Sequence, residues 1–338
     1  MFFAKNAKGN MLSFTYTLRF LRSFAIKSFK KKNLRKILLI ILFSAISYTI
    51  FSQTREQEIT IDGITRTYIL HLPETGTLIY NLPLVIVLHG HGGTGKQIMK
   101  ESGFNKLSDR DRFIVAYPNG KDKAWNDGRN DPVENTKYDD LKFITQLIDT
   151  ISKEYKIDST RIFATGMSNG AFFSFYLAYK LSNKILAIAP VCANIPKNLQ
   201  DRYTLDKPVS LMLINGTEDP LVKYEGGKVG FKIGKSRGKS ISTDESIAIF
   251  VKLNKCTEKY KEEEIPDVIG DDECYATKYT YSGGLNNTDV VLIKITNGGH
   301  TWPGGSQYLP KKIVGNTCKD FNAADVIWEF FKSRKSRE

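Results

Sequence analysis

The feature that most constrains the fold is a series of short apolar runs separated by segments of helical periodicity. The runs lie at residues 82–88, 113–118, 161–166, 185–191 and 209–214. Such nearly continuous apolar segments are typical of strands buried on both faces of a parallel sheet. Apolar residues at helical spacing predict helices at 139–152, 171–181, 244–253 and 322–331. This alternation predicts an α/β fold with a mostly parallel central sheet flanked by helices.

Weaker strand patterns lie at the two ends of this series. Residues 58–61 and 65–72 alternate apolar and polar side chains on either side of Asp62-Gly63, as in a β-hairpin. We expect this antiparallel hairpin at the N-terminal edge of the sheet. Two further strands are predicted at 277–282 and 289–295. Because the chain has no internal repeat and no low-complexity linker, residues 53–338 are predicted to form a single domain.

The charge of the chain is concentrated in its first 52 residues. The formal net charge of +13 would suit a nucleic-acid partner. Residues 1–52, however, hold ten lysines and arginines and no acidic residue, which leaves 39 basic and 36 acidic residues in the remainder. The nearly neutral body of the protein argues against a nucleic-acid partner.

The basic N-terminal segment leads into an apolar stretch. Residues 37–51 carry no charge and are followed by Ser52-Gln53. A positive flank, a short apolar stretch and small or polar residues are the layout of a secretory signal, with cleavage expected near Ser52. Fifteen residues are fewer than the roughly 20 that span a bilayer, and an uncleaved membrane anchor is the alternative. We therefore expect a secreted or extracytoplasmic protein that meets the membrane only through this segment during export.

The four cysteines suit an exported protein with disulfides; they are Cys192, Cys256, Cys274 and Cys318. They show no CxxC spacing and no clustering with histidines, so no metal site is predicted. Cys256 and Cys274 flank a charged loop that contains a proline, and they are the predicted pair. Two free thiols at these positions are the alternative interpretation.

A glycine-rich loop follows the strand at 82–88. Gly90–Gly95 satisfies the GxGxxG pattern of dinucleotide sites and nearly fits a P-loop. Gln97, however, stands where a P-loop needs serine or threonine for Mg²⁺. Nucleotides are also scarce where an exported protein acts. No cofactor is therefore predicted.

A GxSxG motif lies between a predicted strand and a predicted helix, at Gly166–Gly170. That context is typical of a nucleophile elbow, in which a sharp turn exposes the serine hydroxyl. Ser168 is therefore the predicted nucleophile. The backbone amide of Asn169, at the start of the helix, is predicted to bind the developing oxyanion.

A histidine and a carboxylate follow the elbow in the chain order of α/β-hydrolases. His300 lies between glycine-rich turns after the last predicted strand and is the predicted base. Asp219 follows the strand at 209–214 and is preferred over Glu218, because Pro220 fixes its turn. With Ser168, Asp219 and His300 assigned, the His89–Gly93 loop also has a predicted function. It follows the strand at 82–88, which is the position of the second oxyanion donor in this fold. The amide of His91 is predicted to be that donor.

Five motifs in this order identify a family resemblance: LHGHGGTG at 88–95, YPNG and AWNDG at 117–128, GMSNGA at 166–171, NGTEDPLV and YEGG at 215–227, and GGHTWPGG at 298–305. Over residues 57–332 the chain resembles secreted polyhydroxybutyrate-depolymerase-like esterases and related feruloyl and acetylxylan esterases. The resemblance implies an α/β-hydrolase fold, ester hydrolysis and no cofactor. Asn215 replaces a histidine common in that family, and Gly284 replaces a frequent cysteine.

The predicted function is that of a serine esterase acting through an acyl-enzyme, on feruloyl or acetyl esters of polysaccharides. The alternative substrate is poly(3-hydroxybutyrate) or its oligomers, a polyester. A non-catalytic carbohydrate-binding protein is the alternative from another class. Trp125 and Trp302 are predicted to line the substrate cleft, because both follow strands near the expected site. Packing at the edge of the domain is the other interpretation of each tryptophan.

Overall fold

The computed structural model describes residues 53–74, 81–129, 138–231 and 236–335. The leader predicted at residues 1–52 lies outside this described part. Among the described residues, no helix is both long enough and apolar enough to cross a membrane.

Within the described residues, ten strands form one sheet and two short strands form a separate ribbon. The strands are β1 (Gln53–Ile61), β2 (Ile64–Leu72), β3 (Leu84–Leu88), β4 (Ile114–Pro118), β5 (Ile162–Met167), β6 (Ala187–Val191), β7 (Ser210–Gly216), β8 (Gly227–Lys228), β9 (Lys239–Ser240), β10 (Tyr260–Ile265), β11 (Tyr275–Tyr281) and β12 (Val290–Thr296). The helices are α1 (Gly95–Ser102), α2 (Phe104–Asp111), α3 (Asp140–Tyr155), α4 (Asn169–Leu181), α5 (Thr243–Asn254), α6 (Lys311–Val314) and α7 (Ala323–Lys332).

The large sheet is parallel at its centre and antiparallel at both edges. Its strand order is β1-β2-β4-β3-β5-β6-β7-β12-β11-β10. The pairs from β4 to β12 are parallel. The pairs on either side of this block are antiparallel. The predicted class, a mostly parallel sheet flanked by helices, is confirmed.

The predicted N-terminal hairpin forms the first edge of the sheet. β1 and β2 are antiparallel, with Ile61 opposite Ile64 across a two-residue turn. The turn residues Asp62 and Gly63 have φ angles of 49° and 77°. Two consecutive positive φ angles match the right-handed twist of the flanking strands, which is why Asp-Gly suits this turn.

Helices cover both faces of the sheet and close two apolar cores. One core contains the inward faces of α3, α4 and α5. The other contains residues of α1, α2 and α7. In the second core the indole of Trp328 on α7 stacks on Phe113 with ring centroids 3.7 Å apart. Because the central strands bury side chains on both faces, they carry the apolar runs seen in the sequence.

Several elements lie where the sequence predicted none, among them α1, α2 and β10. α1 and α2 occupy the segment after the glycine-rich loop, and Gly103 separates them with a φ of 71°. β10 is a largely exposed edge strand rich in lysine and glutamate. The sequence had assigned that segment to a charged loop, because an edge strand open to water lacks the apolar runs of the centre.

The parallel strands bring their carboxyl ends to one edge of the sheet. The predicted oxyanion loop follows β3, the predicted nucleophile follows β5, and the predicted acid and base follow β7 and β12. Crevices outside the carboxyl ends of parallel strands are the usual place for a ligand in such sheets.

Candidate active site

Ser168 occupies a strained turn between β5 and α4. Its φ of 56° and ψ of −119° are uncommon for a residue with a side chain. A Cβ at Gly166 would lie 2.6 Å from the Leu88 carbonyl oxygen, and a Cβ at Gly170 would lie 2.4 Å from it. Both glycines are therefore required, because the elbow packs directly against the end of β3. The Ser168 hydroxyl does not cap α4, so it is available to a substrate.

His300 and Asp219 form a buried pair. The imidazole Nδ1–H donates to Oδ2 of Asp219 over 2.7 Å, and the residues are 3% and 4% exposed. The other carboxylate oxygen accepts from the backbone amides of Leu221 and Val222, each at 2.8 Å. The carboxylate is therefore held on both sides. With Nδ1 engaged, Nε2 of His300 is the nitrogen left to accept a proton.

Ser168 and His300 line the same cleft, whose volume is about 570 Å³. The predicted oxyanion loop lines it as well, through residues His89–Gly93. Among the described residues, no hydrogen bond joins the Ser168 hydroxyl to His300. Contacts of this kind often shorten only in the substrate complex. The structure thus brings the predicted nucleophile, base, acid and oxyanion loop together, as acyl transfer requires.

The side chain of Asn169 ties the start of α4 to Trp125. Its Oδ1 accepts from the Trp125 amide at 2.8 Å, and its Nδ2 donates to the Trp125 carbonyl at 3.1 Å. Nδ2 also donates to Asp127 at 2.6 Å. The amide side chain therefore fixes the first turn of α4, where the backbone N–H groups lack partners within the helix.

His89 is a structural residue of the predicted oxyanion loop, and the sequence did not suggest this role. Its Nδ1–H donates to the Gly90 carbonyl at 2.7 Å, while Nε2 accepts from the Gly120 amide at 2.9 Å. Burial lowers the pKa of His89 to about 4. The ring therefore stays neutral at physiological pH and acts as a fixed connector between the ends of β3 and β4.

The expectation that two tryptophans line the cleft is wrong. Trp125 is 2% exposed; its ring stacks on Phe173 at 5.2 Å, and its Nε1–H donates to the His89 carbonyl at 2.9 Å. Trp302 is fully buried in the core that contains α7. Neither ring can contact a substrate from these positions. Trp125 instead supports the predicted oxyanion loop through this hydrogen bond.

Other residues form the cleft wall. Phe231, Tyr308 and Leu309 line the cleft and remain 54%, 46% and 38% exposed. Lys100 and Arg237 also line it. These residues come from loops and from a helix without a sequence signature, so no pattern in the sequence indicated them.

The predicted disulfide between Cys256 and Cys274 is absent. All four cysteines are buried free thiols. Cys256 follows α5 and lies in the core that contains α3, α4 and α5, whereas Cys274 lies in the core that contains α7. The two thiols thus face opposite sides of the sheet, and a disulfide needs Cα atoms within about 7 Å.

Two groups of three side chains in the described part of the chain bring possible metal ligands within 4.8 Å of one another. One consists of Asp219, His300 and Cys192, and its carboxylate is already bonded as described above. In the other, Asp272 Oδ2 accepts from the Lys319 amide at 2.6 Å, and Asp320 Oδ1 accepts two backbone amides. These carboxylates organise loops through backbone amides.

Comparison with known proteins supports the interpretation of this chain as an esterase. Residues 66–194 match the family model described as esterase PHB depolymerase. "Putative esterase NocK" of Nocardia uniformis subsp. tsuyamanensis is 29% identical over 82% of this chain and 82% of its own length. "Probable feruloyl esterase C" of Aspergillus flavus is 25% identical over 48% of this chain. That match spans 58% of the Aspergillus protein.

Among solved structures, an acetyl xylan esterase from Aspergillus awamori shares the fold. It matches 73% of this chain and 94% of its own with a TM-score of 0.53 and 16% sequence identity. Likeness at this level of identity concerns architecture alone. Together these matches confirm the α/β-hydrolase fold and the family resemblance that the five motifs indicated.

Proposed function

Because this chain is a serine esterase with the α/β-hydrolase fold, we propose that it hydrolyses feruloyl or acetyl esters of polysaccharides through an acyl-enzyme on Ser168. The observation that carries the proposal is the buried Asp219–His300 pair, which faces the same cleft as the strained Ser168 turn. A base oriented by a carboxylate beside an exposed hydroxyl is the arrangement that activates a serine.

The proposed reaction begins when Nε2 of His300 takes the proton of the Ser168 hydroxyl. The oxygen of Ser168 attacks the ester carbonyl, and the resulting oxyanion is bound by the backbone amides of His91 and Asn169. His300 then protonates the leaving alcohol, and the C–O bond to it breaks. Water, deprotonated by His300, then attacks the acyl-enzyme carbonyl. His300 returns that proton to the Ser168 oxygen as its bond to the acyl group breaks, which releases the acid and the free Ser168 hydroxyl. Asp219 stabilises the imidazolium throughout.

The cleft wall supports the choice of substrate. The exposed aromatic rings of Phe231 and Tyr308 offer flat apolar surface beside the nucleophile, which suits a feruloyl ring or a sugar ring. The same wall suits the methyl-bearing repeat of a hydroxybutyrate oligomer, and the family match at residues 66–194 favours that polyester as the second candidate.

Replacing Ser168 by alanine tests the nucleophile. Ser168→Ala should abolish hydrolysis of p-nitrophenyl acetate and labelling by a fluorophosphonate. Ser282→Ala is the matched control, because Ser282 is exposed at the end of β11, outside the cleft. Full activity in Ser168→Ala would refute the assignment. Binding of polysaccharide by a wild-type protein that is never labelled would favour the non-catalytic alternative.

A substrate panel tests the ester class. Methyl ferulate, acetylated xylan and hydroxybutyrate oligomers are assayed with the domain from Gln53 onward. We expect turnover of at least one of the two plant-type esters. Turnover of the oligomers alone would replace the proposal by the polyester alternative.

We also propose that residues 1–52 direct export and are removed near Ser52. The apolar stretch at 37–51 and its basic flank support this. N-terminal sequencing of the protein recovered outside the cytoplasm is the test. A membrane-bound chain that retains residues 31–50 would show an anchor instead.

A further inference from the structure

Cys192 is a buried residue to which the reaction above assigns no role. It directly follows β6 and is 2% exposed. Its φ of 58° lies in the left-handed region, which residues with side chains rarely adopt. Such a conformation persists only where the surroundings hold it, and it occurs most often near functional sites. This backbone conformation determines where the Cys192 thiol lies.

The thiol contacts the loop that carries His300. Sγ donates to the carbonyl of Thr301 at 3.3 Å, and the carbonyl of Gly299 lies at 3.8 Å. These are the carbonyls of the residues on either side of His300. Sγ, a carboxylate oxygen of Asp219 and a ring nitrogen of His300 also lie within 4.8 Å of one another. One side chain therefore lies close to both partners of the acid–base pair.

The backbone around Cys192 connects the other parts of the site. The Ser168 amide donates to the carbonyl of Val191 at 2.9 Å, and the Cys192 amide donates to the carbonyl of Ile214 in β7 at 3.0 Å. The Val191-Cys192 unit thus touches the nucleophile turn, the strand that leads to Asp219, and the His300 loop. A displacement of Cys192 would therefore shift the nucleophile turn, the strand that leads to Asp219 and the His300 loop.

The chemical state of the thiol suits a hydrogen-bond donor. Burial raises the pKa of Cys192 well above its ordinary value, and the negative charge of Asp219 raises it further. The thiol is therefore protonated at neutral pH. A protonated, buried thiol is a poor nucleophile and a poor metal ligand, but it donates its one proton to the nearer carbonyl, that of Thr301.

We propose that Cys192 is a positioning residue for the acid–base pair: its thiol fixes the 299–301 loop so that His300 stays aligned with Asp219. The inference rests on the proposed function, since it concerns the same site. It goes beyond that function in assigning the alignment to a residue outside the Ser168, Asp219 and His300 set.

The test compares Cys192→Ala with Cys256→Ala in the enzyme from Gln53 onward. Cys256 is another buried free thiol; its Sγ donates to the Thr288 carbonyl, and it is not among the residues that line the cleft. Loss of a hydrogen bond of ordinary strength should lower kcat for p-nitrophenyl acetate about 3- to 10-fold in Cys192→Ala, with KM changed less than about twofold. Cys256→Ala should retain the wild-type kcat.

The pH profile separates positioning from simple packing. The acid limb of kcat/KM reports the base of the free enzyme. Weaker alignment with Asp219 should move that limb to lower pH in Cys192→Ala, while Cys256→Ala should keep the wild-type midpoint. Cys192→Ser keeps a donor and should recover most of the lost kcat.

Two outcomes would overturn the proposal. One is a Cys192→Ala enzyme whose kcat and acid limb match those of Cys256→Ala. The other is failure of Cys192→Gly to lose activity; glycine accepts the positive φ without strain and lacks the thiol, so this variant serves even if the alanine variant does not fold. Failure of the proposed function is a separate result, because it would appear as unlabelled wild-type protein.

Discussion

Replacing Gly284 by cysteine should create a disulfide with Cys256 that the natural chain lacks. A Cβ built on Gly284 would lie 2.7 Å from the Cys256 sulfur. In a disulfide, the Cβ of one cysteine lies roughly 3 Å from the sulfur of the other. The φ of −72° and ψ of 169° at Gly284 suit any residue. The site is therefore arranged for a cross-link with only a small displacement.

The size of the effect follows from the loop and from local crowding. A cross-link that closes about 28 residues stabilises the fold by about 3.5 kcal/mol through the unfolded chain. The new Cβ would also lie 2.5 Å from Oγ1 and 2.8 Å from the carbonyl of Thr288, so this turn must shift. We expect a net gain of about 2 kcal/mol, which for a domain of this size raises Tm by about 5 °C.

Thiol titration and thermal unfolding measure the two parts of this prediction. After air oxidation and denaturation, Gly284→Cys should show three reactive thiols rather than five, and a reductant should reverse the gain in Tm. The Cys256→Ala/Gly284→Cys double variant carries the same new side chain without a partner and serves as the control. Five reactive thiols, or a cross-link without a gain over the control, would refute the geometric reasoning.

Three further predictions concern the site. Burial lowers the pKa of His89 to about 4 in the folded protein, whereas a histidine in the unfolded chain has a pKa of about 6.5. Between these two pH values the unfolded chain binds a proton that the folded protein does not. The free energy of unfolding should therefore fall by about 3 kcal/mol on acidification from pH 7 to 4. Urea titrations of His89→Gln should show a smaller fall. Tyr308→Phe removes a donor to the His300 carbonyl at 3.1 Å and should lower kcat about threefold with an unchanged circular dichroism spectrum; an unaltered kcat would contradict it. Trp125→Phe removes the donor to the His89 carbonyl and should lower kcat about 2- to 10-fold; a variant that keeps the wild-type kcat would contradict this.

The parallel core and the chemical motifs were predictable because each has a local cause. Strands buried on both faces must be apolar at nearly every position, so β3, β4 and β6 are visible as runs. The glycines of the Ser168 turn are fixed by close approach to the end of β3. Such constraints act within a few residues of the chain.

The cleft wall and the cysteine environment depend on contacts between distant segments. Nothing near Trp125 in the chain shows that its ring stacks on Phe173, so its position after a strand suggested the wrong surface. Cys256 and Cys274 are neighbours in sequence terms, yet the sheet separates them. The packing of whole helices and strands decides on which face of the sheet a loop residue lies. A short stretch of sequence therefore does not reveal it.

The hydrogen bonds around Trp125 have a consequence for how such an enzyme can diversify. Its amide and carbonyl are held by the side chain of Asn169, and its indole holds the His89 carbonyl. The same hydrogen bonds therefore hold both predicted oxyanion donors in place. A substitution at His89, Trp125 or Asn169 disturbs both donors. Substitutions that preserve activity at these positions must therefore occur together, and they are expected to be rare. New acyl preferences are accordingly expected to arise by exchange at Phe231 and Tyr308, which are exposed on separate loops and can vary one at a time.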